Sequence, residues 1–340
     1  MRLLPIVAAL TGLPAALCLQ EQAPLNRGHG KLDGAADKHA PPYRKALLDL
    51  HRNLVSIPSV SGAEFDVGQW LVDYLISRGF RADVQFVAPR EGTPEGAQRF
   101  NPHRRGFVVG EEVAGDGMIT FSDAALARGE PAPWHSVIFG EPTESKLVCG
   151  HKGALFCEIK VAGQAAHSGY PWLGKSANEM LVRAVARILE TDLGSSEQYG
   201  NTTFNLGLME GGVAANVVAA SATAKFGARV AIGPEKDGHL IVKKRIQAIL
   251  DEVDKDAFEI TCNPGYGTVD CNCDVEGFET LTVNYGTDVA NLKGNFTRYL
   301  YGPGSILVAH GENEALTVGD LELAVENYEK LILHALNKKS

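Results

Sequence analysis

The sequence predicts an α/β chain that carries an inserted, ferredoxin-like α+β unit, and three observations predict it. Elements in the order β-α-β-β-α-β run from about residue 154 to 262, the split-βαβ pattern. Helix and strand signals on either side of that run read as two pieces of one α/β layer. With 340 residues, 45% hydrophobic and 21% charged, the composition is that of a folded chain with room for about two domains. The net charge of -9 argues against a nucleic-acid partner, which calls for a basic patch or stripe.

Taken in order, Met1-Arg2 is a short basic start, and Leu3 to Cys18 is almost wholly apolar and ends in small residues. This predicts a secretory signal over residues 1–18, too short for a membrane span and broken by Pro5, Gly12 and Pro14. Residues 19–42 read as a polar leader. His29, Asp33, Asp37 and His39 fall there, in a stretch with the composition of a solvated tail. From Tyr43, Leu47, Leu50 and Leu54 share a helical face. Ser61-Gly-Ala-Glu64 has the form of a capping box, with Val67, Trp70, Leu71, Tyr74 and Leu75 behind it and Gly79 as the stop. Ala82 to Val87 alternates like a strand.

Within the inserted unit, Ala154 to Val161 reads as a strand. Ser176-Ala-Asn-Glu179 is a second capping box, opening a helix through Met180, Ala184, Val185 and Ile188. Thr203 to Met209 and Ala222 to Ile232 read as strands, Leu240 to Val253 as a helix, and Phe258 to Thr261 as the last strand. Further on, Gly302-Pro-Gly304-Ser-Ile-Leu-Val reads as a strand delivering His310. A final helix from Thr317 places Leu321, Val325, Tyr328 and Ile332 on one side.

An exported chain meets an oxidising compartment. Cys149, Cys157, Cys262, Cys271 and Cys273 remain after the signal, and the cluster Cys262, Cys271, Cys273 is the expected place for a bridge, with the pairing left open. Asn201-Thr-Thr and Asn295-Phe-Thr are N-glycosylation acceptors in an exported chain.

Three strand ends could carry chemistry. Phe107-Val-Val-Gly-Glu111-Glu112 delivers two adjacent carboxylates into a Gly-rich turn. As a metal site, one carboxylate would bind zinc and the other take a proton from metal-bound water; as an ordinary turn, both would face solvent. Gly140-Glu141-Pro-Thr follows Val137-Ile-Phe139 and puts a carboxylate where α/β sheets bind ligands, or makes a plain Pro-bearing turn. His310 is a natural zinc ligand or a structural histidine. No G-x-S-x-G elbow supports a serine hydrolase.

These pieces resemble the di-zinc exopeptidase family of aminoacylases, glutamate carboxypeptidase and succinyl-diaminopimelate desuccinylase, in its secreted fungal carboxypeptidase branch. The resemblance rests on residues 56–62 (Ser-Ile-Pro-Ser-Val-Ser-Gly), the Glu-Glu and Gly-Glu-Pro-Thr turns, and Ala166-His167-Ser-Gly169. It continues through Gly211-Gly-Val-Ala-Ala-Asn216-Val, Gly286-Thr-Asp288, Gly302-Pro-Gly304 and Ala309-His310. It implies a catalytic α/β domain with a central mixed sheet over 43–153 and 263–340, and a lid and dimerisation domain over 154–262. Glu111 would be the general base. Glu112 and His310 would bind one of two zinc ions and Glu141 the other. His167 would reach across a homodimer to the tetrahedral oxyanion. Asn216, Arg229 and the loop of Gly302 and Gly304 would hold a peptide or N-acyl amino acid, Arg229 by its carboxylate.

One family segment is missing. A His-x-Asp strand end and a bridging Asp should precede the Glu-Glu turn, and only the polar stretch Ala88 to Gly106 stands there. Asn101-Pro-His103-Arg-Arg reads as an abrupt join, and His103 lacks the following x-Asp, so it is not assigned as a ligand. Both zinc sites are therefore expected to be weak. The chain is then either an incomplete reading of an active enzyme's gene or a metal-poor relative that binds and dimerises.

Overall fold

The computed structural model describes residues 8–9, 40–59, 64–82, 115–127 and 134–337. They divide into two compact units. One comprises Val148–Asp274 with Glu279–Ala290; the other comprises the described residues before Val148 with Val275–Phe278 and Asn291 onward.

In the second of these units, helices α1 (Arg44–Ser56), α2 (Phe65–Ser77) and α3 (Asp116–Leu126) precede strand β1 (Ser136–Phe139). Leu47, Leu50 and Leu54 do lie on α1, but no residue of that helix is fully buried. The capping box expected at Ser61 lies partly outside the described residues. Helix α2 begins at Phe65, and its N-cap Glu64 makes no side-chain cap. Of the strand expected over 82–87, only Ala82 is described, and it is not in a strand.

The core of this unit is built on β1. Val137, Ile138 and Phe139 are buried, as a strand covered on both faces requires. Strand β1 pairs in parallel with a later strand, Thr297–Leu300, with Leu300 opposite Phe139. Ala8 and Ala9 pair in parallel with Ile138 and Phe139 on the other edge. The C-terminal helix Val318–Asn337 buries Ala324 and Leu331. Its Asn327 donates to the Tyr301 hydroxyl at 2.8 Å, and the Tyr328 hydroxyl donates to the Tyr301 carbonyl at 2.9 Å. Arg44 forms an ion pair with Glu322.

In the other unit, β2 (Leu147–His151) is followed by β3 (Gly153–Ala162), α4 (Ala177–Glu190), β4 (Thr203–Gly211), β5 (Ser221–Val230), α5 (Gly238–Val253) and β6 (Phe258–Cys262). The four-stranded sheet has the order β4-β5-β3-β6, antiparallel throughout. That is the ferredoxin-like order expected from the element pattern. The Ser176 hydroxyl caps α4 by accepting the Glu179 N–H at 3.3 Å. Met180, Ala184, Val185 and Ile188 are buried against Leu155, Ile159, Ala228 and the α5 residues Val242, Ile246 and Leu250. The period-2 burial of β3 and β5 leaves Phe156, Glu158, Gly227 and Arg229 on the face turned away from that core. Strands β7 (Val269–Asp270) and β8 (Thr280–Val283) flank β2 in a second, three-stranded sheet.

The cysteines correct one expectation. Neither bridge lies within the cluster: Cys149 joins Cys273 and Cys157 joins Cys262, while Cys271 takes part in neither. Cys157 and Cys262 face each other across β3 and β6. Partners 105 and 124 residues apart in sequence are chosen by sheet register, which spacing along the chain does not reveal.

Candidate active site

The candidate residues fall into three groups. Glu111 and Glu112 lie outside the described residues, and so does His103. Glu141, Gly302, Gly304 and His310 belong to one unit; His167, Asn216 and Arg229 belong to the other.

Glu141 stands two residues beyond the C-terminal end of β1, as the apolar run before it predicts. The turn it opens is clamped onto the loop that follows the strand Thr297–Leu300, β9 in chain order. Thr143 and Ser145 donate their amides to the Gly302 carbonyl, each at 3.2 Å, and Gly302 returns its own amide to the Thr143 hydroxyl at 3.0 Å. Glu144 N–H reaches the Gly304 carbonyl at 2.8 Å. The two motifs are thus one piece of structure, and both glycines have a backbone reason. A Cβ at Gly302 would collide with the Glu141 carbonyl oxygen, and Gly304 has φ +76°. Replacing Gly302 by Ala should push the Glu141 turn off β9 and lower stability by about 2 kcal/mol. A denaturant melt measures this, and an unchanged midpoint would refute the clamp.

The strand expected over 302–308 does not form. Strand β9 ends at Leu300, and Ile306–Val308 is a 3-10 turn. Pro303 offers no N–H to a ladder, Gly304 reverses the chain in the left-handed region, and the Ser305 hydroxyl caps the turn by accepting the Leu307 amide at 3.3 Å. His310 is consequently delivered by a turn rather than a strand. It is exposed, at φ +62°, with its amide donated to a Glu314 carboxylate oxygen at 3.1 Å.

His167 sits in the loop after β3. The Gly169 amide donates to its Nδ1 at 3.0 Å. In the neutral ring the proton therefore rides on Nε2, which leaves an exposed imidazole presenting an N–H donor. Asn216 is its neighbour through the backbone: His167 pairs with Val217, and Ser168 N–H donates to the Asn216 carbonyl at 3.0 Å. The structure brings these two candidates together.

Arg229 is elsewhere. In the β3–β5 ladder it stands opposite Ala154, while Ser221, near Asn216, stands opposite Ala162. Eight residues of strand separate those positions, about 27 Å at 3.4 Å per residue. Within one chain, Arg229 and the His167–Asn216 pair hold opposite ends of the sheet. The Arg229 guanidinium lies over the Phe156 ring, 5.5 Å from its centroid. A Cβ at Gly286 would be 3.4 Å from an Arg229 Nη, so the Gly286-Thr-Asp288 motif borders the guanidinium.

Sequence reading missed the polar group behind that motif: buried His151 and Thr287 with the half-buried Tyr266. A signal was present, because Gly150-His151-Lys152-Gly153 sets two ionisable residues between glycines inside an otherwise apolar stretch.

Among the described residues no group of three or more His, Cys, Asp or Glu side chains could hold a metal ion. No described helix is long and apolar enough to cross a membrane.

Residues 149–257 match the peptidase dimerisation domain family. The chain is 41% identical over 395 residues to a peptidase M20 domain-containing protein of Sordaria macrospora, covering 89% of this chain and 87% of that protein. It is 39% identical over 380 residues to a protein described as a probable carboxypeptidase of Aspergillus oryzae, covering 86% and 88%. Since 89% of 340 residues is only about 303, roughly 90 positions of the Sordaria alignment face no residue of this chain, and the Aspergillus alignment leaves about as many. Among solved structures, aminopeptidase PepT of Bacillus cereus superposes with a TM-score of 0.58 at 15% identity, covering 86% of this chain and 99% of that one, a likeness of fold.

Proposed function

This chain belongs to the peptidase M20 family, and from that premise we propose that it is a secreted, zinc-dependent exopeptidase of the carboxypeptidase and aminoacylase kind, cleaving an amide bond beside a free carboxylate. It works as a homodimer through residues 154–262. The observation that carries this reading is the placement of Arg229 and the His167–Asn216 pair at opposite ends of one sheet. A substrate's carboxylate and scissile carbonyl are a few ångströms apart, so about 27 Å of strand cannot be spanned by one small ligand. A second copy resolves this: Arg229 of one copy takes the carboxylate as a charge-assisted pair, and His167 and Asn216 of the other meet the carbonyl oxygen.

Each group then has a task. The His167 Nε2–H is fixed as a donor by the Gly169 amide, so it stabilises negative charge as the carbonyl becomes tetrahedral without having to reorient. Glu111 accepts the proton of the attacking water and passes it to the leaving amine. Zinc is part of the proposal by family. Among the described residues, Glu141 and His310 supply two donors of suitable kind, where catalytic zinc takes three from protein. By themselves they do not fit the metal. That shortfall favours a second reading, a metal-poor relative that binds and dimerises without turnover. Two disulfides support export, and Asn201 and Asn295 are exposed, as sugar acceptors must be.

Subunit complementation tests the proposal. His167→Ala and Arg229→Met should each lower hydrolysis of an N-acyl amino acid a hundredfold or more at low substrate. Unfolded and refolded together in equal amounts, they should recover about a quarter of wild-type activity, because half the dimers are mixed and each mixed dimer has one intact site. No recovery from mixtures that do form mixed dimers would place both residues in one copy's site and overturn the reading.

A further inference from the structure

We propose that His151 is a positioning residue for carboxylate recognition: through a buried hydrogen-bonded relay it holds the Gly286–Asp288 turn that borders Arg229. The proposal rests on the reading of Arg229 as the carboxylate anchor.

The relay runs in one direction. His151 is fully buried on β2. Its Nδ1 is 2.8 Å from the Lys152 carbonyl oxygen, which only accepts, so Nδ1 carries the proton. In the neutral ring Nε2 is then the acceptor, and the Thr287 hydroxyl, 3.1 Å away, donates to it. The same hydroxyl oxygen accepts the Val289 amide at 3.2 Å. The Tyr266 ring stands edge-on to the imidazole, centroids 6.2 Å apart, and the Tyr266 hydroxyl donates to the Thr287 carbonyl at 3.4 Å. Tyr266 is itself tied to β3 by two backbone hydrogen bonds with Ala154, each 3.1 Å, and Ala154 is the residue opposite Arg229.

The turn gains from this a fixed distance to the guanidinium. Gly286 has no room for a side chain: a Cβ would collide with the Tyr266 hydroxyl and reach to 3.4 Å of Arg229. The guanidinium is thus bounded by the Phe156 ring and by a turn whose next residue is pinned at both its hydroxyl and its carbonyl. Apolar side chains of equal size would fill the space around Thr287 without any desolvation of polar groups. A buried, satisfied polar relay adds little net stability over such packing, and what it adds is direction. Direction matters here because a guanidinium pairs with a carboxylate through two parallel bonds in one plane.

The test uses the full 340-residue chain and calorimetric titration with N-acetyl-L-leucine and with its amide, which lacks the charge. The wild type should prefer the acid at least tenfold, and Arg229→Met should erase that preference. Thr287→Val keeps the shape and removes the hydroxyl, and should lower the preference about fivefold to tenfold. Thr287→Ser restores the hydroxyl and should recover most of it. His151→Phe should follow Thr287→Val. Melting curves confirm that each variant is folded at the titration temperature; should His151→Phe not fold, the Thr287 pair decides. If Arg229→Met erases the preference while Thr287→Val leaves it whole, or if Val and Ser behave alike, the relay is refuted and the anchor stands. If the wild type has no preference, or Arg229→Met retains it, the anchor reading itself fails.

Discussion

Titrated with zinc in a metal-buffered solution, the 340-residue chain is expected to fill weakly, and hydrolysis of N-acyl amino acids is expected to climb with added zinc without reaching a plateau at micromolar free metal. The reason is a donor count. A catalytic zinc takes three protein ligands and keeps one position for water. On the proposed reading, Glu112, Glu141 and His310 would be three donors for two ions, and the His-x-Asp and bridging-Asp segment that the family resemblance implies has no counterpart in the sequence. Even the loss of groups that merely orient ligands weakens metal binding about 10- to 100-fold, so missing direct ligands should weaken it more. Splicing in at the Asn101–Pro102 join whatever the Sordaria protein carries there, among the roughly 90 aligned positions that face no residue of this chain, should raise zinc affinity at least a hundredfold and bring turnover to a plateau. In the spliced chain, Glu111→Gln should stay inactive at every zinc level. Tight zinc binding by the unspliced chain would show that other donors complete the site. Transcripts that all join Asn101 directly to Pro102 would show the short form to be real rather than an incomplete reading of the gene.

How far the sequence spoke depended on the range of the interaction involved. In the inserted unit the two helices and the four strands of the main sheet are legible, because each buries one face and the burial period of 2 or 3.6 is written in adjacent residues: Leu155, Cys157, Ile159 and Val161 on β3, and Met180, Ala184 and Ile188 on α4; the short pair Ser195–Ser196 and Gly200–Asn201, with no buried apolar face of its own, is not. The apolar run Ser305 to Val308 misled, since Pro303 and Gly304 impose backbone geometry that overrides side-chain character. The face of α1 was read correctly as a face, yet it is not fully buried, because periodicity says where a helix is apolar and not what lies against it. Candidate site residues were named by type, and their assembly was not readable. That the Gly302 loop clamps the Glu141 turn, and that Arg229 and His167 stand at opposite ends of β3, are consequences of register between distant strands. The His151 relay escaped notice for a related reason: a buried polar group declares itself only with its partner, and Thr287 is 136 residues away.

Register also decides the largest stability effect, which resides in the two disulfides. Each, taken alone, closes a loop of more than 100 residues, worth about 5 kcal/mol in the chain-entropy account. They are nested, however: Cys157 lies 8 residues inside Cys149, and Cys262 lies 11 inside Cys273. With one bridge in place, the ends of the other are already joined in the unfolded chain by a path of about 19 residues, and closing such a loop is worth only about 3 kcal/mol. Removing either bridge, as Cys157→Ala with Cys262→Ala or as Cys149→Ala with Cys273→Ala, should therefore lower stability by about 3 kcal/mol. Removing both should lower it by about 8 kcal/mol, more than twice either single loss and comparable to the whole stability of an ordinary domain. Guanidinium melts in a Cys18→Ser, Cys271→Ser background, where no thiol outside the bridges can reshuffle them, give all three values. The expected signature is two modest shifts and one collapse. If removing both bridges costs no more than the sum of the separate losses, the bridges act independently of the loops they close, and their contribution would then lie in native-state contacts around Cys157 and Cys262 on the facing strands β3 and β6.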